Sequence, residues 1–317
     1  MRKKSLLLAC ALLITLQAHA DTDVVLRVGQ QKGLTRAMLE SAGQLKDVPY
    51  TLEWAEFPAS AYTLEAMGAD KIDVATVGDG PMIFAVGAGA PIRPIASVRI
   101  VDQGEGNVIL VKKDSGIDSV AQLKGKRLAF TRGSSGHQLV LAALQSVGLS
   151  SADVTGALLS PADGKAAFDS GDVDAWAVWQ PYVAIALSRG DTKVLVNSAG
   201  LLSEYAFVAA NQNAIRDKKA ALDDFVQRLA RATDWSEQHL EQYLDIESRL
   251  TGLNRDILRQ VHESMRPHIQ PLDNAAVAGL QTTVNLYQGA GILKRPLKLE
   301  DFFDPALIAR YQARAEL

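Results

Sequence analysis

Residues 127–140 read Arg-Leu-Ala-Phe-Thr-Arg-Gly-Ser-Ser-Gly-His-Gln-Leu-Val. Leu128 to Thr131 suits a short strand, Gly133 to Gly136 a loop, and His137 the start of a helix. That helix carries Leu139, Val140, Ala143, Leu144 and Val147 at helical spacing and stops at Gly148, a glycine just past the C-cap. A helix start preceded by Gly-Ser-Ser-Gly offers free backbone N–H groups, two hydroxyls and the positive end of a helix dipole. Those are the parts of an anion site. Taken alone, the same residues are explained by a simple cap from Ser134 or Ser135. The rest of the chain decides between the two readings.

The same layout precedes this stretch. Asp23 to Val28 reads as a strand, Gly29-Gln30-Gln31-Lys32-Gly33 as a loop, and a helix runs from Leu34 to about Leu45. Tyr50 to Glu56 alternates as a half-buried strand does, and a helix follows from Ala59 to Gly68. Ile72 to Val77 is a strand. Gly78-Asp79-Gly80-Pro81 reads as a turn, with Pro81 opening a helix to Val86. Strands are expected at Ile92 to Ile100 and Asn107 to Lys112. Beyond Gly148 come a strand at Gly156 to Leu159, a helix opened by Ser160-Pro161-Ala162-Asp163, and a strand at Val173 to Val178. A Trp179-Gln180-Pro181 turn, a helix from Tyr182 to Leu187 and a strand at Lys193 to Val196 complete the set. Spacings agree between the halves: Val28 to Pro58 is 30 residues and Phe130 to Pro161 is 31, while Val28 to Asp73 and Ala129 to Asp174 are both 45.

Two α/β units of one plan imply mainly parallel sheets, with ligands bound off the carboxyl ends of the strands. Both units place their glycine-rich loops at that end, so two facing units enclose a cleft lined by helix starts and turn amides. Tyr205 to Ala209 reads as one more strand. From Lys219 the chain is helical, with Phe225, Leu229 and Ala232 on one face and Leu240, Tyr243 and Leu244 on another. Further helices are expected at Asn254 to His262, Asn274 to Tyr287 and Pro305 to Ala313, the first two separated by Pro267 and Pro271. No low-complexity linker is present. The halves are therefore expected to be joined by strands, Asn107 to Lys112 going out and Tyr205 to Ala209 coming back.

Composition bounds the function. Arg2, Lys3 and Lys4, the apolar run Leu6 to Leu16 and the Ala18-His19-Ala20 site read as a secretory signal peptide, cleaved after Ala20. A lipoprotein reading of Leu7-Leu8-Ala9-Cys10 leaves too short an apolar run before the cysteine. Cys10 is the only cysteine, so the mature chain has no disulfide, thiol nucleophile or thiolate metal site. The formal charge of −3 falls to −6 without Arg2, Lys3 and Lys4, which argues against nucleic acid as a partner. An anionic ligand must then be held by local donors.

Ser134, Ser135 and His137 raise nucleophilic catalysis, but neither serine has glycines at both flanking offsets of a nucleophile elbow. His137 is also too close in sequence to be set apart as a base. His137, His239, His262 and His268 lack zinc-ligand spacing, and no Walker-type loop or dinucleotide fingerprint is present. No catalytic residue, metal or cofactor is assigned.

The ordered set Val28-Gly29-Gln30-Gln31-Lys32-Gly33, Ala75-Thr76-Val77-Gly78-Asp79-Gly80-Pro81, Leu123-Lys124-Gly125-Lys126-Arg127, Gly133-Ser134-Ser135-Gly136-His137, Pro161-Ala162-Asp163 and Val173-Asp174-Ala175-Trp176-Ala177-Val178-Trp179-Gln180-Pro181-Tyr182 resembles the aliphatic-sulfonate and taurine substrate-binding proteins of ABC importers. The resemblance covers roughly residues 24–210. It implies a two-lobed, type II periplasmic-binding-protein fold with two crossover strands as hinge and a helical C-terminal region. Lobe 1 is then 21–106 with 207–317, and lobe 2 is 107–206. It also implies a periplasmic, monomeric receptor that delivers an organosulfonate to a membrane permease and its ATPase. Taurine, a sulfate ester or nitrate is the alternative ligand, and an enzyme or sensor the alternative class. Carried onto this chain, the ligand-facing residues are Gln31, Gly78, Asp79, Ser134, Ser135, Gly136 and Trp179, with Gln30 and His137 beside them. One of Trp176 and Trp179 is expected in the core and the other at the cleft, with Trp179 at the strand's carboxyl end. Asp79 is expected to accept backbone N–H bonds and shape its turn, or to meet an amino group on a zwitterionic ligand. Gln30, Gln180 and Gly136 depart from the family pattern. The cysteine-rich motif of the related thiamine-precursor synthases is absent.

Overall fold

A computed structural model describes residues 24–32, 34–101, 103–298 and Phe303. The expected signal peptide with Cys10 and the helix expected at Pro305 to Ala313 lie outside the described residues. The first half runs β1 (Val25–Gln30), α1 (Leu34–Ser41), β2 (Thr51–Glu56), α2 (Ser60–Gly68), β3 (Val74–Gly78), α3 (Asp79–Gly87) and β4 (Ile92–Val101). The second runs β5 (Asn107–Lys112), β6 (Arg127–Phe130), α4 (Ser135–Ser146), β7 (Thr155–Leu158), α5 (Pro161–Ser170), β8 (Ala175–Trp179), α6 (Tyr182–Leu187) and β9 (Thr192–Asn197). Then come β10 (Tyr205–Asn211), α7 (Gln212–Asp217), α8 (Lys219–Gln238), α9 (Leu240–Thr251), α10 (Arg255–Ser264), β11 (Arg266–Gln270) and α11 (Asn274–Gly289).

Two sheets form, ordered β11-β4-β10-β3-β1-β2 and β7-β6-β8-β5-β9. β1 lies parallel between β2 and β3, and β6 lies parallel between β7 and β8. In each sheet the next strand is antiparallel and is supplied by a crossing of the chain. β5 follows the first half into the second sheet, and β10 returns to the first. The two crossing segments touch: the Ser198 N–H donates to the Gly104 carbonyl (3.0 Å) and the Ile100 N–H to the Glu204 carbonyl (2.7 Å). The result is a two-lobed α/β fold whose lobes share a double connection.

The repeat holds at the level of single residues. The Arg27 N–H and guanidinium both bond Asp73, just before β3 (2.7 and 2.6 Å). Arg127 does the same to Asp174, just before β8 (2.8 and 2.9 Å). Each pair ties the start of β3 or β8 to the parallel strand beside it, β1 or β6. Asp73 is buried and also accepts from Lys218 (2.8 Å), so these contacts hold its carboxyl below the usual carboxylate range against the cost of burial.

One core packs both faces of the first sheet, using Leu26, Val28, Val74 and Phe207 from strands and Phe225, Leu280 and Tyr287 from the C-terminal helices. The second sheet has two smaller cores: Leu139, Val140 and Leu144 of α4 on one face, Phe168 and Trp176 on the other.

α7 is an added helix ahead of the one expected from Lys219, and two further elements differ from expectation. α3 begins at Asp79, not after Pro81: Gly78 is the extended N-cap and the expected turn is the helix's own first turn. Proline is tolerated at the third position because the first four N–H groups of a helix lack partners anyway. β11 replaces what reads as a proline-broken loop. It pairs with the edge of β4, where Pro267 stands opposite Ile100 on a strand with a free outer edge.

Candidate ligand-binding site

Three helices start at the meeting line of the lobes: α2 at Ser60, α3 at Asp79 and α4 at Ser135. Each follows a strand by a short connection: α2 follows β2, α3 follows β3 and α4 follows β6 of the second sheet. A Cβ added to Gly78 would stand 4.0 Å from the Ser135 Cβ, so the starts of α3 and α4 face each other across the interlobe gap. Between them lies a cavity of about 370 Å³.

At α4, Ser134 is the N-cap. Its hydroxyl donates to the Thr131 carbonyl (2.7 Å) and accepts the His137 N–H (3.2 Å). Ser135 is partly exposed, and its hydroxyl has no partner among the described residues. The N–H groups of Ser135 and Gly136, first in the helix, have no intrahelical acceptor. In the other lobe, the Gln31 amide donates to the Ser60 hydroxyl (3.0 Å).

Six of the nine candidate residues line this cavity: Gln31, Gly78, Asp79, Ser134, Ser135 and Trp179. The side chains of Gln30 and His137, and Gly136, are not among the lining residues. The Gln30 side-chain Oε1 accepts the Arg36 N–H (3.0 Å) and so caps the first turn of α1. Gly136 packs on β8, where an added Cβ would come 2.8 Å from the Ala177 carbonyl oxygen. His137 turns into its own lobe and stacks on Phe130 (4.9 Å), with Nδ1 accepting the Gly133 N–H (3.2 Å). Burial, helped by the Arg132 charge, pushes His137 down to about 4. Of the two tryptophans, Trp176 is packed against Phe168 and Tyr182, while Trp179 borders the cavity.

Asp79 is buried rather than presented to the cavity centre. Its Oδ2 accepts from the Thr283 hydroxyl (2.5 Å) and the Gln138 amide (3.1 Å). Burial pushes its carboxyl up, opposed by those donors and by the N–H groups of Asp79 and Gly80. The structure adds Ser60, Asn107, Gln138, Gln180 and Glu204 to the lining, with Ile100, Leu202, Tyr205 and Met265 on its apolar side. Ser60 had a signal, a serine after Phe57-Pro58 at a helix start. Gln138 had one too: it follows Ser135 by three residues, hence shares its helix face. Among the described residues that line the cavity there is no Lys, Arg or His. No cluster of three or more His, Cys, Asp or Glu suited to a metal is found among the described residues, and none of their helices is long and apolar enough to cross a membrane.

Chemically, the arrangement presents neutral hydroxyl, amide and backbone donors on three converging helix starts, with an aromatic and apolar wall beside them. Known proteins resemble this chain in sequence and fold. The family model for the ABC transporter, phosphonate, periplasmic substrate-binding protein matches residues 55–247. An aliphatic sulfonates-binding protein of Escherichia coli (strain K12) is 35% identical over 268 residues, 83% of this chain and 83% of its own. The alkanesulfonate-binding protein SsuA from Xanthomonas axonopodis pv. citri, solved bound to MOPS, gives a TM-score of 0.80 at 29% identity, covering 92% of this chain and 98% of that one. The periplasmic aliphatic sulphonate binding protein SsuA from Escherichia coli gives 0.76 at 31% identity, over 88% and 92%. By match and by fold, this chain belongs to the periplasmic substrate-binding proteins of ABC transporters.

Proposed function

We propose that this chain is an exported receptor that closes on the sulfonate group of a small aliphatic sulfonate and hands it to an ABC permease and its ATPase. The observation that carries this reading is a set of convergent neutral donors with no cationic side chain. A sulfonate is a monoanion with three acceptor oxygens and no proton to place, so hydroxyls, amides and helix starts satisfy it without a buried counter-cation, whose desolvation would be costly. Gln31, Ser60, Ser135 and the first N–H groups of α3 and α4 face the sulfonate. Trp179, Leu202 and Met265 border its tail. The named ligands of the relatives support the same assignment.

In this reading residues 1–20 are removed after Ala20 and the mature chain works in the periplasm as a monomer. Residues 21–106 with 207–317 form one lobe and 107–206 the other, rocking about the two crossings. The chain turns nothing over. His137, already accepting the Gly133 N–H and held near 4, is no base for Ser135 at neutral pH.

Titration calorimetry with ethanesulfonate, hexanesulfonate and hexylphosphonate tests the assignment. Saturable binding of the sulfonates, with the phosphonate at least tenfold weaker, is expected. A phosphonate that binds as tightly, or consumption of a bound sulfonate, overturns it.

A further inference from the structure

Gln138 stands apart among the polar residues at the interlobe gap. Its helix, α4, is built into the core of the second sheet, yet its side chain is buried in the other lobe. The carboxamide nitrogen donates to Asp79 Oδ2 (3.1 Å) at the first residue of α3, and to Thr283 Oγ1 (3.0 Å) on α11. The recess is shaped for it. A Cβ on Gly80 would lie 2.2 Å from Gln138 Oε1 and 2.9 Å from the Tyr287 hydroxyl, so a residue with any side chain at position 80 would evict the amide. Leu141, one turn further along α4, joins the core of the same lobe.

We infer that Gln138 is the closure latch of the receptor, a positioning residue whose carboxamide bolts α4 to Asp79 and Thr283 and thereby holds the two facing helix starts at ligand-binding distance. The inference rests on the receptor reading above. Its chemistry suits a reversible contact. An amide bonded to a buried carboxylate makes a strong, charge-assisted hydrogen bond. Both partners regain water when the lobes part, so opening strands no charge. The bond is also incomplete: Gln138 Oε1 and the Tyr287 hydroxyl have no partner among the described residues. Each unpaired buried group offsets part of the gain, which keeps the latched form from being so favourable that ligand release stalls. Gln180 makes a second bridge between the lobes, to the Ser264 hydroxyl (3.1 Å). Its acceptor is uncharged, and Gln180 is also tied to the Ala184 N–H of the adjoining helix and to the Glu105 carbonyl of the crossing segment, so it sits at the hinge side and follows the motion rather than setting it.

The test reads closure and binding separately. The mature chain has no cysteine. A Gly78→Cys/Ser135→Cys pair, with Cβ atoms about 4.0 Å apart when latched, falls in the range a disulfide spans. In a redox buffer without ligand, Gln138→Ala and Gly80→Ala added to this pair are each expected to slow cross-linking about tenfold. Without the cysteines, each is expected to raise the Kd for hexanesulfonate about tenfold, through faster dissociation rather than slower association. Gly80→Ala removes no hydrogen-bonding group and tests the recess alone. If Gln138→Ala does not fold, Gly80→Ala and Thr283→Val decide. Cross-linking and dissociation rates equal to those of the parent overturn the latch. Gln138-dependent cross-linking in a protein that binds no sulfonate supports the latch and overturns the receptor assignment instead.

Discussion

Replacing Ser134 and Ser135 singly by alanine separates two jobs that the sequence Gly-Ser-Ser-Gly runs together. The Ser134 hydroxyl is fully engaged as a cap. Its removal leaves the buried His137 N–H without an acceptor, but the Thr131 carbonyl keeps the Ser134 N–H (3.1 Å). One cap is therefore lost and no second group is stranded, a cost of about 1 kcal/mol. In a chain of this size that lowers Tm by roughly 2–4 °C. The Ser135 hydroxyl has no such duty, so Ser135→Ala leaves Tm unchanged without ligand. What it loses is a hydrogen bond to the bound anion, about 1.5–3 kcal/mol, or roughly a 10- to 150-fold rise in Kd. Thermal melts without ligand and calorimetry with hexanesulfonate on both variants give the two readouts. A Ser135→Ala protein that binds as the parent does, or a Ser134→Ala protein with an unchanged Tm, refutes the division of labour.

Two more outcomes are expected. His137 titrates near 4 in the fold against 6.5 as its ordinary value, so the folded state favours the neutral ring. The stability this confers is complete above pH 6.5 and declines as pH falls from there toward 4, by about 3 kcal/mol in all. Denaturant titrations of a His137→Gln variant should show that slope removed, and an unchanged slope assigns the acid sensitivity elsewhere. Trp179→Phe should abolish the ligand-induced change in tryptophan fluorescence while Trp176→Phe keeps it, and the reverse pattern places the ligand away from the end of β8.

Hydrophobic periodicity and the repeat of spacings made the two α/β units legible, because each strand–loop–helix step is a local event. The expected strand at Asn107 to Lys112 has the bounds of β5, and Tyr205 does open the returning strand. What was hidden depends on phase or on distance along the chain. On the first turn of α4, Ser135 points to the gap and His137 to Phe130. A motif match gives both residues equal weight, and only the helical phase separates them. Gln30 and Gln31 divide in the same way, one capping α1 and the other reaching Ser60. Thr283 lies 204 residues from Asp79, and nothing in its own helical segment marks it as that carboxylate's partner.

Asp79 shows why a site for anions can contain a carboxylate. At the first residue of α3 it sits at the positive end of a helix dipole, where a negative charge is favoured. Thr283, Gln138 and its own and the following N–H hold it there; burial outweighs them and leaves its carboxyl raised, and the donors that oppose burial do not belong to the ligand. A bound sulfonate then draws on a separate set: Ser135, Gln31, Ser60 and the start of α4. The carboxylate still acts on what else could enter. A second negative charge placed roughly 5 Å away costs about 3 kcal/mol at an effective dielectric constant near 20. With no cation among the described lining residues to offset that cost, an ionised Asp79 opposes each charge a ligand carries, so a doubly ionised phosphonate meets the cost twice and a singly charged sulfonate once. Selectivity in this cavity comes from the charge it retains as much as from the donors it offers.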